Sequence, residues 1–128
     1  MTYLNDLKYK YSGFSIAEKI IFLNIIFFLI PYLINTLLFL FNINPKSYIE
    51  LFLLSPELNN LIIKPWTLVT YSFIHDGFFH LFWNMLLLYY ISRMILNLFS
   101  SSTFINIYFL GVIIGGIFFL LSYSFFPV

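Results

Sequence analysis

Three long apolar runs organise the chain. Positions 20–41 contain no charged side chain, positions 77–99 contain only Arg93, and positions 104–123 again contain none. Each run matches the roughly 20 residues that an α-helix needs to cross a hydrocarbon core, so the pattern predicts three membrane-spanning helices. The first run is longer than a signal-peptide core and no small-residue cleavage site follows it, so it reads as a retained helix. Pro31 is expected to kink that helix, and Asn24 and Asn35 are expected to hydrogen-bond to neighbouring helices. In the third run Gly111 and Gly115, with Gly116 beside them, form a small-xxx-small face that permits close packing.

The segments between the runs differ in kind. Residues 1–19 form a polar, basic tail, with Lys8, Lys10 and Lys19 against Asp6 and Glu18. Residues 42–76 are too many for a structureless loop in a compact domain and too apolar for a free linker. Pro45, Pro56 and Pro65 divide this stretch, and Glu50, Glu57 and Lys64 alternate with apolar clusters. Short helical turns half-sunk in one leaflet are the expectation. Ser100, Ser101, Ser102 and Thr103 form a turn signal between the second and third runs.

Composition agrees with a membrane protein. The 128 residues are 62% hydrophobic and 9% charged, too few charges to cover a soluble domain of this size. The lipid bilayer is therefore the primary partner, and a net charge of +1 argues against nucleic acid. Cysteine is absent, which excludes disulfides and thiolate metal sites. The tail and the turn after the second span hold Lys8, Lys10, Lys19 and Arg93, against Lys46 and Lys64 in the long loop. That division places the N-terminus in the cytoplasm and the 42–76 loop outside.

Candidate chemistry sits at the start of the second span. His80 and Asn84 lie four residues apart, a step that turns about 40° past a full revolution, so both side chains share one helix face. Polar groups of this kind inside a membrane helix are costly unless they are partnered or used. One reading is that both satisfy neighbouring helices; the other is that two aligned donors stabilise a developing negative charge. His75 and His80 could be considered a metal or haem pair. Five positions apart on a helix they would diverge by about 140°, and no cysteine or acidic residue lies within the spans to complete a site.

The stretch Trp66–Asn84, WTLVTYSFIHDGFFHLFWN, resembles the second-helix region of the rhomboid family of intramembrane serine proteases. The resemblance rests on Trp66, His75, His80 and Asn84 at the family's spacing, and on the order of segments: basic tail, helix, long membrane-embedded loop, two helices joined by a tight turn. It implies an all-α, polytopic transmembrane bundle whose three helices, 20–41, 77–99 and 104–123, are part of a six-helix rhomboid-like fold. The domain would cover 20–128 behind a cytoplasmic tail, 1–19. By resemblance His80 and Asn84 are catalytic donors to the oxyanion of the tetrahedral intermediate. His75 is implied as a structural residue at the helix entrance, and Trp66 as an anchor of the outer loop. Membrane proteins with transmembrane helices are the implied substrates, no cofactor or metal is implied, and a bacterial inner membrane is the expected location.

Several positions depart from the family pattern. Thr67 stands where an arginine is frequent, and Ser92 and Leu96 where a glycine and a glutamate are frequent at the inner end of the second helix. The family's nucleophile is a serine in Gly-x-Ser-Gly on the fourth helix, and its base is a histidine on the sixth. These 128 residues contain neither. Gly13-Phe14-Ser15 lacks the final glycine and lies in the tail. The leading expectation is the N-terminal half of a rhomboid protease, left incomplete by truncation, a frameshift or a partial gene model. The alternative is a catalytically inactive rhomboid-like protein that binds transmembrane helices.

Overall fold

A computed structural model describes residues 2–43 and 48–126. Pro45, Lys46 and Ser47, which the sequence assigns to the outer loop, lie outside the described residues. Among those described, no strand occurs and every regular element is a helix. The three apolar runs become three long helices, α2 (Ile16–Leu40), α5 (Phe78–Leu98) and α6 (Ser101–Phe125). At about 1.5 Å per residue their 25, 21 and 25 residues are long enough to cross a bilayer. At most 17% of any span's apolar window is buried within the chain, so their apolarity faces lipid rather than an internal core. The protein is an integral membrane protein.

Helix ends differ from the apolar runs because caps, not hydropathy, set them. α2 begins four residues before the uncharged stretch: Ser15 Oγ accepts from the Glu18 amide at 3.3 Å, and Glu18 Oε2 accepts from the Ser15 amide at 2.7 Å. This reciprocal pair satisfies two orphan donors and draws Glu18 and Lys19 into the first turn. At its other end Asn42 takes a positive φ of 52°, while Asn42 N donates to Phe39 O and Ile43 N to Leu38 O. That is a Schellman termination with asparagine in the left-handed position. α6 likewise starts earlier than expected, because Ser100 Oγ accepts from the Thr103 amide at 3.2 Å. The serine-rich turn is thus a cap followed at once by helix.

The tail is also structured. Thr2–Ser12 forms a helix, α1, ahead of the Ser15 cap. The outer loop consists of short pieces, as its punctuation by proline implied: a 3-10 turn at Tyr48–Leu51, α3 (Leu58–Ile63), α4 (Thr67–Thr70) and a second 3-10 turn at Tyr71–Phe73.

Packing ties these pieces to the spans. Ala17, Ile20 and Phe104 form a buried cluster, with Leu88, Ile95 and Leu96 packed against it from α5. Leu96, at the position where the family pattern has a glutamate, therefore contributes apolar packing at the inner end. Arg93 lies within α5, not in the turn after it, and faces a cavity shared with Ser15 and Glu18 at the start of α2. Asn24 is fully buried, yet its Nδ2 donates to Ile20 O of its own helix at 2.8 Å, so it does not bridge to a neighbouring helix through that group. Asn35 does reach another element: Tyr48 Oη lies 3.2 Å from Asn35 Oδ1 and donates to the Pro31 carbonyl at 2.8 Å.

The glycines of α6 receive the outer loop rather than another span. A methyl group at Gly116 would stand 2.8 Å from Leu68 Cδ1 and 3.2 Å from Tyr71 Cε1, whereas one at Gly111 would meet nothing within 4 Å. Tyr71 Oη then donates to Val112 O at 2.6 Å. The glycine surface lets α4 and the following turn sit directly on the α6 backbone, which fixes the loop over the start of α5.

Candidate functional site: the entrance of the second span

α5 begins with an unusual cap. Gly77 has φ 98° and ψ 164°, a backbone conformation essentially restricted to glycine, and supplies no side chain to the first turn. α2 and α6 have serine caps at their N-termini, so α5 is the span whose leading amides meet no capping side chain. His80 lies in that first turn, where the helix dipole is positive and an anion is favoured.

The sharp turn at Gly77 also brings His75 back over the helix. His75 precedes α5, and its ring centre lies 5.2 Å from that of His80, in edge-to-face contact. The 140° divergence expected of two helical residues does not apply, because only His80 is on the helix. Proximity of the two rings does not complete a metal site, however: among the described residues no three His, Cys, Asp or Glu side chains converge.

His75 is buried, and its Nδ1 lies 3.2 Å from the Phe73 carbonyl. Donation from Nδ1–H to that oxygen ties the helix entrance to the outer loop. Burial pushes the His75 pKa below its usual value; the Phe73 carbonyl opposes this, and the neighbouring His80 adds to the lowering. Burial thereby favours the neutral form of the His75 ring.

A cavity of about 430 Å³ opens beside this pair, lined by Tyr71, Ser72, His75, His80, Asn84 and Phe119 together with Leu53, Leu54 and Ile74. His80 and Asn84 thus face the same space, while Trp83 is 58% exposed on another side of α5. The polar groups around the cavity are not equivalent. Tyr71 and Ser72 have committed their hydroxyl protons to the carbonyls of Val112 and Val69. The side chains of His80 and Asn84 have no hydrogen-bond partner among the described residues, so their donors are open to whatever occupies the cavity.

Trp66 stands away from this cavity. Its Nε1 donates to Leu51 O at 2.8 Å, joining the first 3-10 turn to the start of α4 within the outer loop while the ring remains half-exposed. Thr67 is buried and donates to Lys64 O at 2.7 Å, a local bond in place of any longer-range ion pair. Tyr71 and Ser72 were not singled out from the sequence. Their signal is a pair of hydroxyls between apolar residues, too common to point to a site.

The family model for the Rhomboid domain matches residues 63–126, half of the chain. This chain belongs to the rhomboid family. The match begins at the last residue of α3 and runs through α4, α5 and α6, so it includes His75, His80 and Asn84 and every cavity-lining residue except Leu53 and Leu54. No curated protein and no solved structure matches the chain.

Proposed function

We propose that these residues form the oxyanion-binding side of a rhomboid intramembrane serine endopeptidase, which hydrolyses peptide bonds in or near transmembrane segments. The observation that carries the reading is the pair of uncommitted donors, His80 and Asn84, converging on one cavity at the uncapped positive end of α5. In peptide hydrolysis the carbonyl oxygen of the scissile bond gains negative charge, and fixed donors lower the barrier by meeting that charge without reorganisation. His75 would act as a positioning residue, its ring packed against His80 and tethered to Phe73 O. Trp66 would hold the outer loop above the cavity.

The nucleophile and base are not supplied by these residues. None of the glycines opens a Gly-x-Ser-Gly motif, and both histidines are already at the α5 entrance. A serine and a histidine within hydrogen-bond reach of one another are needed to form and resolve the acyl intermediate. The proposed location is a bacterial inner membrane with the N-terminus cytoplasmic.

The deciding experiment expresses the chain together with rhomboid segments that carry the Gly-x-Ser-Gly helix and the histidine helix, and follows cleavage of a transmembrane substrate in vesicles. Cleavage that depends on His80 and Asn84 is the expected result. A fully active assembly with both replaced by alanine would reduce the pair to helix packing. Substrate capture without any cleavage would favour the helix-binding, inactive reading.

A further inference from the structure

The first helix has a two-sided surface that the site does not use. At about 100° per residue, Tyr3, Leu4, Leu7 and Tyr11 fall within roughly 100° of arc on α1. Lys8 and Lys10 flank the two edges of that stripe, and Asn5, Asp6, Tyr9 and Ser12 occupy the remainder. Leu4 is 74% and Leu7 64% exposed, so the chain itself leaves the stripe uncovered.

Two observations state what covers it. Only residues 13–15 separate α1 from α2, so α1 is held at the membrane boundary where that span begins. The last member of the stripe, Tyr11, packs its ring 5.7 Å from that of Phe22, with the Lys19 ammonium 5.5 Å over the ring. Phe22 lies about two turns inside α2 and is itself 43% exposed on a span that faces lipid. The stripe is therefore continuous with the lipid-facing surface of α2, and its apolar side points toward acyl chains.

We propose that α1 lies in the headgroup layer of the leaflet where α2 begins, its Tyr3–Leu4–Leu7–Tyr11 stripe sunk to the acyl boundary and Lys8 and Lys10 extended to anionic lipid headgroups. Long basic side chains at the edges of an apolar stripe place their stems on apolar surface and their charge among headgroups. Juxtamembrane lysines add electrostatic attraction to anionic lipids that decays within a Debye length. Asp6 lies one turn before Lys10, about 40° round the axis, and offsets part of that charge, whereas Lys8 on the other edge has no acidic neighbour on α1 and Glu18 is engaged in the Ser15 cap. The inference is independent of any proteolytic role.

The absence of cysteine makes the test clean. Leu7→Cys and Asn5→Cys versions of the full chain carry an environment-sensitive fluorophore and are reconstituted in vesicles of phosphatidylcholine containing brominated acyl chains, with and without phosphatidylglycerol. Several-fold stronger quenching at position 7 than at position 5 is expected, increasing with phosphatidylglycerol. Lys8→Gln with Lys10→Gln should abolish that increase while leaving the spans unaffected. Equal quenching at the two positions would overturn the docking. A position-7 label shielded from both brominated lipid and aqueous iodide would also overturn it, by showing a protein cover. No response to phosphatidylglycerol would overturn the anionic contact.

Discussion

The His75 ring stands edge-on to the His80 ring, 5.2 Å between centres, although one residue belongs to the outer loop and the other to a membrane span. The contact exists because Gly77 turns the chain through a conformation that side-chain-bearing residues avoid. It places a buried imidazole behind one that faces the cavity.

His75 should make stability depend on pH. Its folded pKa is depressed by burial, so between that value and the unfolded value of 6.5 the unfolded chain binds more protons. The stabilisation is complete above about pH 6.5 and declines as pH falls through the interval down to the folded pKa. Thermal unfolding in detergent across this range should show the decline in the unmodified chain and a flatter profile for His75→Asn. An equal decline in the variant would assign the effect to another group.

Three glycines should respond differently to substitution, for three physical reasons. Gly77→Ala meets no neighbour, yet should destabilise by about 1–3 kcal/mol because its backbone conformation is nearly glycine-only. Gly111→Ala meets nothing and is helical, so it should stabilise by about 0.5–1 kcal/mol. At Gly116 the gain in helix propensity is opposed by crowding against Leu68, Tyr71 and Leu54, and Gly116→Val should cost about 1–3 kcal/mol through displacement of the loop. Unfolding midpoints of the three variants in one detergent test this order. A destabilising Gly111→Ala would show that α6 is packed there.

Tyr71→Phe removes the 2.6 Å bond to Val112 O without changing shape appreciably. A loss of about 1 kcal/mol is expected for a single hydrogen bond of this type. Faster amide exchange confined to residues 67–73 would identify the outer loop as the part released. Unchanged exchange there would mean that apolar packing on Gly116 holds the loop alone.

The orientation expected from the basic residues is open to a direct test. A cysteine at exposed Asn59 in α3 should react with an impermeant reagent from outside, and one at exposed Ser101 at the start of α6 should not. The reverse pattern would invert the topology.

In an assembly completed with the serine and histidine, Asn84→Ala should lower turnover by about 10²-fold, the scale for one lost oxyanion donor. His80→Ala should cost at least as much, since it also removes the partner of the His75 ring. Substrate affinity should change less than turnover, because such donors act mainly in the transition state. The 128-residue chain by itself should not cleave.

By itself the sequence determined the number and identity of the spans, the subdivided nature of the outer loop and the alignment of His80 with Asn84. Those properties are one-dimensional: an uncharged run near 20 residues has few alternatives in lipid, prolines interrupt helices locally, and a four-residue step always stacks on a helix. The family resemblance was legible for the same reason, since Trp66, His75, His80 and Asn84 lie within one short stretch. Tertiary structure alone decided what depends on contacts between distant segments. It turned the α6 glycines toward Tyr71 and Leu68 instead of another span and set Arg93 beside the Ser15 cap. It also folded His75 against His80, which no helical spacing rule could anticipate, because a single positive φ at Gly77 redirects the chain between them.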